Sequence, residues 1–210
     1  ARRFTCPYHA CVYDNTGRLK GVPGAAGFES MNRDQYGLVE LLSEERHGFI
    51  WAVLTAEAEM DLDAHLGPMD SELAQWNYQA FGYHDERLLT SEVSWKGALE
   101  AFAEGYHFPF VHGNSVIGMN TLANTHVYDE FGVHHRIGFP FNWITQLDGT
   151  EPADNWDPVQ QMGIIYWVYP NLILANSPVG VEVIDILPAD SATTCTVRHS
   201  WMARYPATTP

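Results

Sequence analysis

The chain is short of basic residues: 11 Lys and Arg stand against 26 Asp and Glu in 210 residues, a formal charge of −15. Such a surface repels phosphate backbones and anionic headgroups, which excludes nucleic acid and the membrane surface as natural partners. Cysteine is equally scarce. Three thiols, Cys6, Cys11 and Cys195, cannot make a fully paired disulfide framework, which suits a reducing compartment. No apolar run reaches the ~18 residues needed to span a bilayer, and nothing near Ala1 has the basic-then-apolar order of a secretory signal. These absences predict a cytoplasmic protein. Repeats, low-complexity tracts and a starting methionine are missing too, and the chain opens in mid-pattern on ARRFTCPYH, as an internal piece of something longer would.

What is present is a hydrophobic content of 46%, enough to bury a sizeable core in one large domain or one domain plus a small one. Residues 1–54 carry short β-type runs, CVYD, GLVELL and GFIWAVL, broken by Gly-rich turns. Residues 55–78 are acidic and interrupted by Gly67-Pro68, which predicts a solvated connector with one or two short helices. In residues 79–210, DERLLTSEVSW alternates like a strand, and SWKGALEAFAEGYH has the clearest helical period in the chain. There Trp95, Leu99, Phe102 and Tyr106 form a core-facing stripe, while Glu100, Glu104 and His107 share another face. Beyond Asn120, six apolar runs separated by turn signals predict an antiparallel meander with the helix lying across it. The expected fold class is α+β.

Two short stretches carry candidate chemistry. In AEGYHFPFVHGN, His107 and His112 lie five apart, roughly 140° around a regular helix, so they could share an ion only if the helix broke between them. Pro109, with no N–H and a ring that crowds the preceding turn, supplies that break. Glu104, one turn back, can reach the His107 imidazole and fix its tautomer. The same residues also suit an aromatic helix end with a carboxylate-satisfied histidine. In CPYHAC, Cys6 and His9 have a spacing found in zinc modules and Rieske iron–sulfur centres, but they are half of any four-ligand site.

Taken in order, the stretches resemble one family. FTCPYHACVYDNTGRLKGVP is similar to the second ligand loop of a Rieske domain, and RHGFIWAVL to that domain's closing strand. SWKGALEAFAEGYHFPFVH resembles the mononuclear-iron helix of the Rieske non-haem iron oxygenases, the ring-hydroxylating oxygenase alpha subunits. The resemblance implies residues 1–54 as the end of a Rieske domain, 55–78 as a connector and 79–210 as the start of a helix-grip catalytic domain with a long helix, truncated at both ends. It implies Cys6 and His9 as one ligand pair of a [2Fe–2S] cluster, and His107 and His112 as the histidines of a 2-His-1-carboxylate iron(II) site.

In this reading Glu104, where many members have Asp, bridges the iron site to the Rieske centre of a neighbouring subunit in a homo-oligomer, a trimer. Electrons come from a reductase or ferredoxin, with NAD(P)H involved only through the reductase, and O₂ hydroxylates or demethylates an organic substrate. The first Cys-x-His pair would precede Cys6 and an acidic third iron ligand would come from a later helix, so the fragment alone is expected to be inactive. Asp129, Asp148, Asp185 and Asp190 fall in turns or strands and are not taken as that ligand. Cys11 stands where the family has Trp and removes no ligand. Candidate pocket residues are Phe110, Asn114, Phe139, Trp143 and Trp167; an aromatic lining suits an arene by apolar contact or a quaternary amine by cation–π contact. The competing readings are a non-catalytic helix-grip binding module, or inactive fragment, with structural histidines, and a zinc hydrolase. The second is disfavoured because no HExxH occurs.

Overall fold

The computed structural model describes residues 2–122, 125–147, 149, 152 and 155–204. The chain divides into two compact units, residues 1–62 and 63–210.

The first unit is built from short strands. β1 (Arg3–Thr5), β2 (Val12–Asp14) and β3 (Leu19–Gly21) form one antiparallel sheet, and β4 (Ser43–Arg46) and β5 (Phe49–Ala52) form a separate hairpin. The run GLVELL, expected as a strand, is not one. Its leucines Leu38, Leu41 and Leu42 are exposed, and the strand register starts at Ser43, opposite Ala52, with a single bond from the Val53 amide to the Leu42 carbonyl at 3.0 Å beyond it.

The unit boundary falls after the first residue of α1 (Leu62–Leu66); the second unit runs on through α2 (Met69–Ala74) and β6 (Gly82–Ser91), and then carries α3 (Trp95–Phe102), α4 (Phe108–Val111) and α5 (Val116–Asn120). β7 (Val127–Phe131), β8 (His134–Pro140), α6 (Pro158–Gln161), β9 (Met162–Val168), β10 (Leu172–Ser177), β11 (Gly180–Pro188) and β12 (Cys195–Ala203) complete it. All six runs predicted after Asn120 are strands. They make an antiparallel meander, and β6 joins beside the last of them, giving a seven-stranded order β6-β12-β11-β10-β9-β8-β7. Between β7 and β8, Gly132 at φ 68° supplies the backbone sign that a two-residue hairpin loop needs.

Strand alternation gives the sheet two faces, and both are covered over its central strands, while the edge strand β6 is exposed at all but its last residue. On one face Ile137, Phe139, Ile165, Ile173, Ile184 and Ile186 form a single cluster with Leu99 of α3 and Phe108 of α4. Each such apolar side chain contributes about 1.5–3 kcal/mol by leaving water. Trp95 and Phe102 flank Leu99 as the helical period predicts, but α3 ends at Phe102, so Tyr106 is 69% exposed and leaves the stripe. The helix over the sheet is therefore eight residues long, shorter than expected.

The other face corrects the expectation of a solvated connector. Leu66, Met69, Leu73 and Tyr78 are fully buried. The segment is tied to the sheet by hydrogen bonds: Trp76 Nε1 to Tyr166 Oη at 3.0 Å, Tyr78 Oη to Asn176 Oδ1 at 3.0 Å, and Arg136 Nη1 to Glu72 Oε2 at 2.5 Å. Its acidic residues mask apolar positions at Leu62 and Leu66 of α1 and Met69 and Leu73 of α2, each pair four apart on one helix face. No helix among the described residues is long and apolar enough to cross a membrane.

Candidate metal centre

α3 stops because the chain finds a better use for its next polar groups. Glu104 folds back so that Oε2 accepts from the amides of Tyr106 at 2.5 Å and His107 at 3.3 Å, a side-chain cap for the turn that follows. Gly105 then passes against the sheet, where a Cβ would lie 2.4 Å from Phe139 Cε1. The one-turn helix α4 begins there, with His107 as its N-cap and His112 as its C-cap.

Pro109 was expected to break a helix between the two histidines. Instead it sits in the first turn of α4, where its missing N–H has no partner to lose. The breaks lie outside the pair, before His107 and after His112, and the two residues flank a single turn whose backbone bonds are Val111 N to His107 O at 2.8 Å and His112 N to Phe108 O at 3.0 Å. Their imidazole centroids are 5.2 Å apart. Buried Phe108 anchors the turn from beneath, with its ring 4.9 Å from Phe139.

The ring of His107 is oriented from one side: Nδ1 bonds to Glu104 Oε1, leaving Nε2 for another partner. Slight burial pushes the Glu104 carboxyl up, but its bonds from the His107 ring and the Tyr106 amide outweigh this and hold it below the ordinary carboxylate range. A carboxylate only accepts, so the contact places a proton on Nδ1 and turns Nε2 away from Glu104, the orientation usual for a metal-binding histidine. His112 is oriented differently, through its backbone carbonyl, which accepts from Ser115 N and Ser115 Oγ, both at 2.8 Å. Two half-buried imidazoles and a carboxylate-fixed tautomer fit the nitrogen side of an iron(II) site. Among the described residues no group of three or more His, Cys, Asp or Glu could hold a metal ion.

The other predicted pair lies on the hairpin loop between β1 and β2. The register Thr5↔Val12 brings Cys6 opposite Cys11, and the Cys6 amide donates to the Cys11 carbonyl at 2.8 Å. The amides of Tyr8 and His9 point at the Cys6 sulfur and hold its thiol below the usual range, which favours the thiolate form that binds metal. His9 is exposed at the loop tip, with its ring tilted against that of Tyr8 at a centroid distance of 3.7 Å. A low-pKa sulfur and an exposed imidazole on one loop fit half of a Cys₂His₂ cluster.

The predicted pocket residues do not converge. Phe139 is core, Trp167 packs on the same cluster, and Phe110 is 75% exposed on the outer side of α4. Asn114 is exposed, and Trp143 stacks on Phe141 and donates to the Gln160 carbonyl at 2.8 Å. Asp129 and Asp185 are held by Arg136 and Arg198 at 2.9 and 2.6 Å, which accounts for both as structural carboxylates. Asp190 is exposed in a bend, and Asp148 lies outside the described residues. Sequence reasoning missed Gly105, Ser115 and Gly118 around the histidine pair; only the Ser-x-x-Gly spacing of the α5 cap hinted at them.

The chain belongs to the ring hydroxylating alpha subunit (catalytic domain) family, whose match spans residues 73–209. Among its relatives, the benzene 1,2-dioxygenase alpha subunit of Pseudomonas putida is 31% identical over 113 residues, 51% of this chain and 25% of that subunit. Two solved structures share the fold. A quaternary ammonium Rieske monooxygenase, CntA, in complex with substrate L-carnitine superposes with TM-score 0.77 at 17% identity, over 100% of this chain and 54% of the other. Naphthalene 1,2-dioxygenase from Rhodococcus sp. bound to indole gives 0.69 at 17% identity, over 100% and 56%. The chain thus spans about half of those structures and matches a quarter of the curated relative.

Proposed function

We propose that this chain is the Rieske-to-catalytic portion of an oxygenase component, in which His107 and His112 hold a mononuclear iron(II) and Cys6 and His9 hold one side of a [2Fe–2S] cluster. The observation that carries the reading is the histidine pair flanking α4, with Glu104 fixed on Nδ1 of His107. The sheet order, with the first strand beside the last and a helix across one face, supports a helix-grip catalytic domain. Residues 1–54 then belong to the Rieske domain and 79–210 to the catalytic domain, with the buried 63–78 segment structurally part of the second.

Bound iron(II) would supply O₂ activation, and the cluster would supply electrons received from a reductase or ferredoxin, with NAD(P)H as the distant source. The chain's own residues do the positioning. Glu104 holds the His107 proton at Nδ1, and its Oε2, already accepting two amides, keeps the carboxylate ionised and directed. As a carboxylate it can accept from a second imidazole, His9 of a neighbouring subunit in a trimer, joining the two centres. Phe108 closes the underside of the turn against water. The substrate is a small organic molecule; the relatives named above act on an arene in one case and a quaternary amine in another.

The test uses the full-length protein purified anaerobically. His107→Ala and His112→Ala should each lose the mononuclear iron while keeping the visible absorption of the cluster and labile sulfide. Hydroxylated or demethylated product from a panel of arenes and trimethylammonium compounds, with reductase and O₂, should vanish in both. Zinc in place of iron would point to a hydrolase, a metal-free extended chain to a binding module, and undiminished iron in both variants would sink the ligand assignment.

A further inference from the structure

We propose that Ser115 and Gly118 are positioning residues for His112, acting through its backbone carbonyl; the inference rests on the reading of His112 as an iron ligand. His107 is oriented at its ring by Glu104, whereas among the described residues no hydrogen bond reaches the ring of His112, and the backbone is what the structure fixes there. The His112 carbonyl accepts from the Ser115 amide and from Ser115 Oγ, both at 2.8 Å. The same Oγ caps α5 by accepting from the Gly118 amide at 3.4 Å. Ser115 therefore uses one hydroxyl to couple the start of α5 to the residue that ends α4.

Gly118 makes that coupling close-fitting. A Cβ built on it would lie 2.0 Å from the His112 carbonyl oxygen, 2.5 Å from its carbon and 3.0 Å from the Gly113 amide nitrogen. All three are backbone atoms, with no flexible side chain to swing away. α5 cannot retreat to make room, because its far end is fastened to the sheet. Asn142 Nδ2 donates to Met119 O at 2.7 Å, the Leu122 amide donates to Pro140 O at 2.9 Å, and Thr121 bridges to Phe141. α4 is likewise held, by Phe108 in the core. A methyl at position 118 must therefore displace the segment between them, residues 112–115, at its first residue, His112. Gly113 tightens the same turn, since its Cβ would lie 2.7 Å from the Pro109 carbonyl oxygen.

Imidazole placement decides metal affinity, and loss of an orienting partner typically costs about 10- to 100-fold. The experiment is equilibrium dialysis of the metal-stripped full-length protein against Co(II), with metal counted per chain and the melting temperature measured alongside. Gly118→Ala and Ser115→Ala should each raise the Co(II) dissociation constant by about 10- to 100-fold with the fold retained. Ser115→Thr, which keeps the hydroxyl, should stay near the parent value, as should Gly82→Ala, where an added Cβ meets nothing within 4 Å. A merely structural role would lower the melting temperature and leave Co(II) affinity unchanged, and that result overturns the proposal. Should Gly118→Ala fail to fold, Ser115→Ala decides, because it removes a contact without adding an atom. A parent protein that takes up no Co(II), or whose uptake survives His107→Ala, would instead overturn the metal site itself and the positioning role with it.

Discussion

Glu104 and His107 are joined twice, once through the side-chain Nδ1 and once through the main-chain amide of His107. The carboxylate therefore shapes the turn and orients the ring together. Glu104→Gln separates these roles. The amide side chain keeps one acceptor, so it can serve either the backbone amides or Nδ1–H, and it presents donors to the other. Both metal centres should still load, because no ligand is lost. Product formed per single turnover should nevertheless drop steeply, since an amide cannot accept from two imidazoles at once. Iron content, cluster absorbance and single-turnover yield check this; normal yield with both centres occupied would leave Glu104 a structural cap.

At the hairpin loop, Cys11 contributes a backbone carbonyl to Cys6, not its thiol. In the full-length protein Cys6→Ser should abolish the visible Rieske bands. Cys11→Ala should leave them intact, because the carbonyl remains. Bands lost in the Cys11 variant would make that sulfur a ligand and the Cys6 assignment wrong.

Leu73→Ala probes the face of the sheet that composition hid. The side chain is fully buried, and its truncation should cost about 2–5 kcal/mol of unfolding free energy. A solvated connector would lose under about 0.5 kcal/mol. Urea denaturation of the parent and variant distinguishes the two.

His134 gives the fold a pH dependence. Its Nδ1 accepts from the Tyr169 amide at 3.0 Å, which makes Nε2 the donor to the His65 carbonyl at 2.6 Å and the ring neutral. Burial pushes its pKa below the usual histidine range, outweighing the opposing bond to the His65 carbonyl. The unfolded chain takes up a proton near pH 6.5 that the folded ring refuses, so this contribution is complete above about pH 6.5 and is lost as pH falls below it. His134→Gln should flatten that part of the stability profile. An unchanged slope between pH 7 and 5 would show that other groups carry it.

Much of the architecture was legible in local pattern. Strands β7 to β12 each announce themselves by apolar runs between turn residues, because a strand's alternation and its turns are set within a few residues. The pair Cys6–His9 and the trio Glu104, His107 and His112 were legible for the same reason, as side chains close in sequence. GLVELL shows the limit: its composition suits a strand, but its backbone joins neighbours only near its ends, Leu38 to Gly17 and Leu42 to Val53, and such isolated bonds do not make a ladder.

What the sequence by itself determined, then, was the type of each strand, the polarity of the surface and the identity of the neighbouring donors. The tertiary structure alone decided that Leu66, Met69 and Leu73 are core, since an acidic stripe does not reveal which sheet face its apolar edge will meet. It alone placed Phe139 beneath Gly105 and His112 over Gly118, contacts between segments that no short-range period encodes. It also decided where α3 ends. Helical propensity would have carried it on to His107, but the capping of Glu104 onto two amides and the close approach of Gly105 to the sheet together outweigh the hydrogen bonds of one more turn.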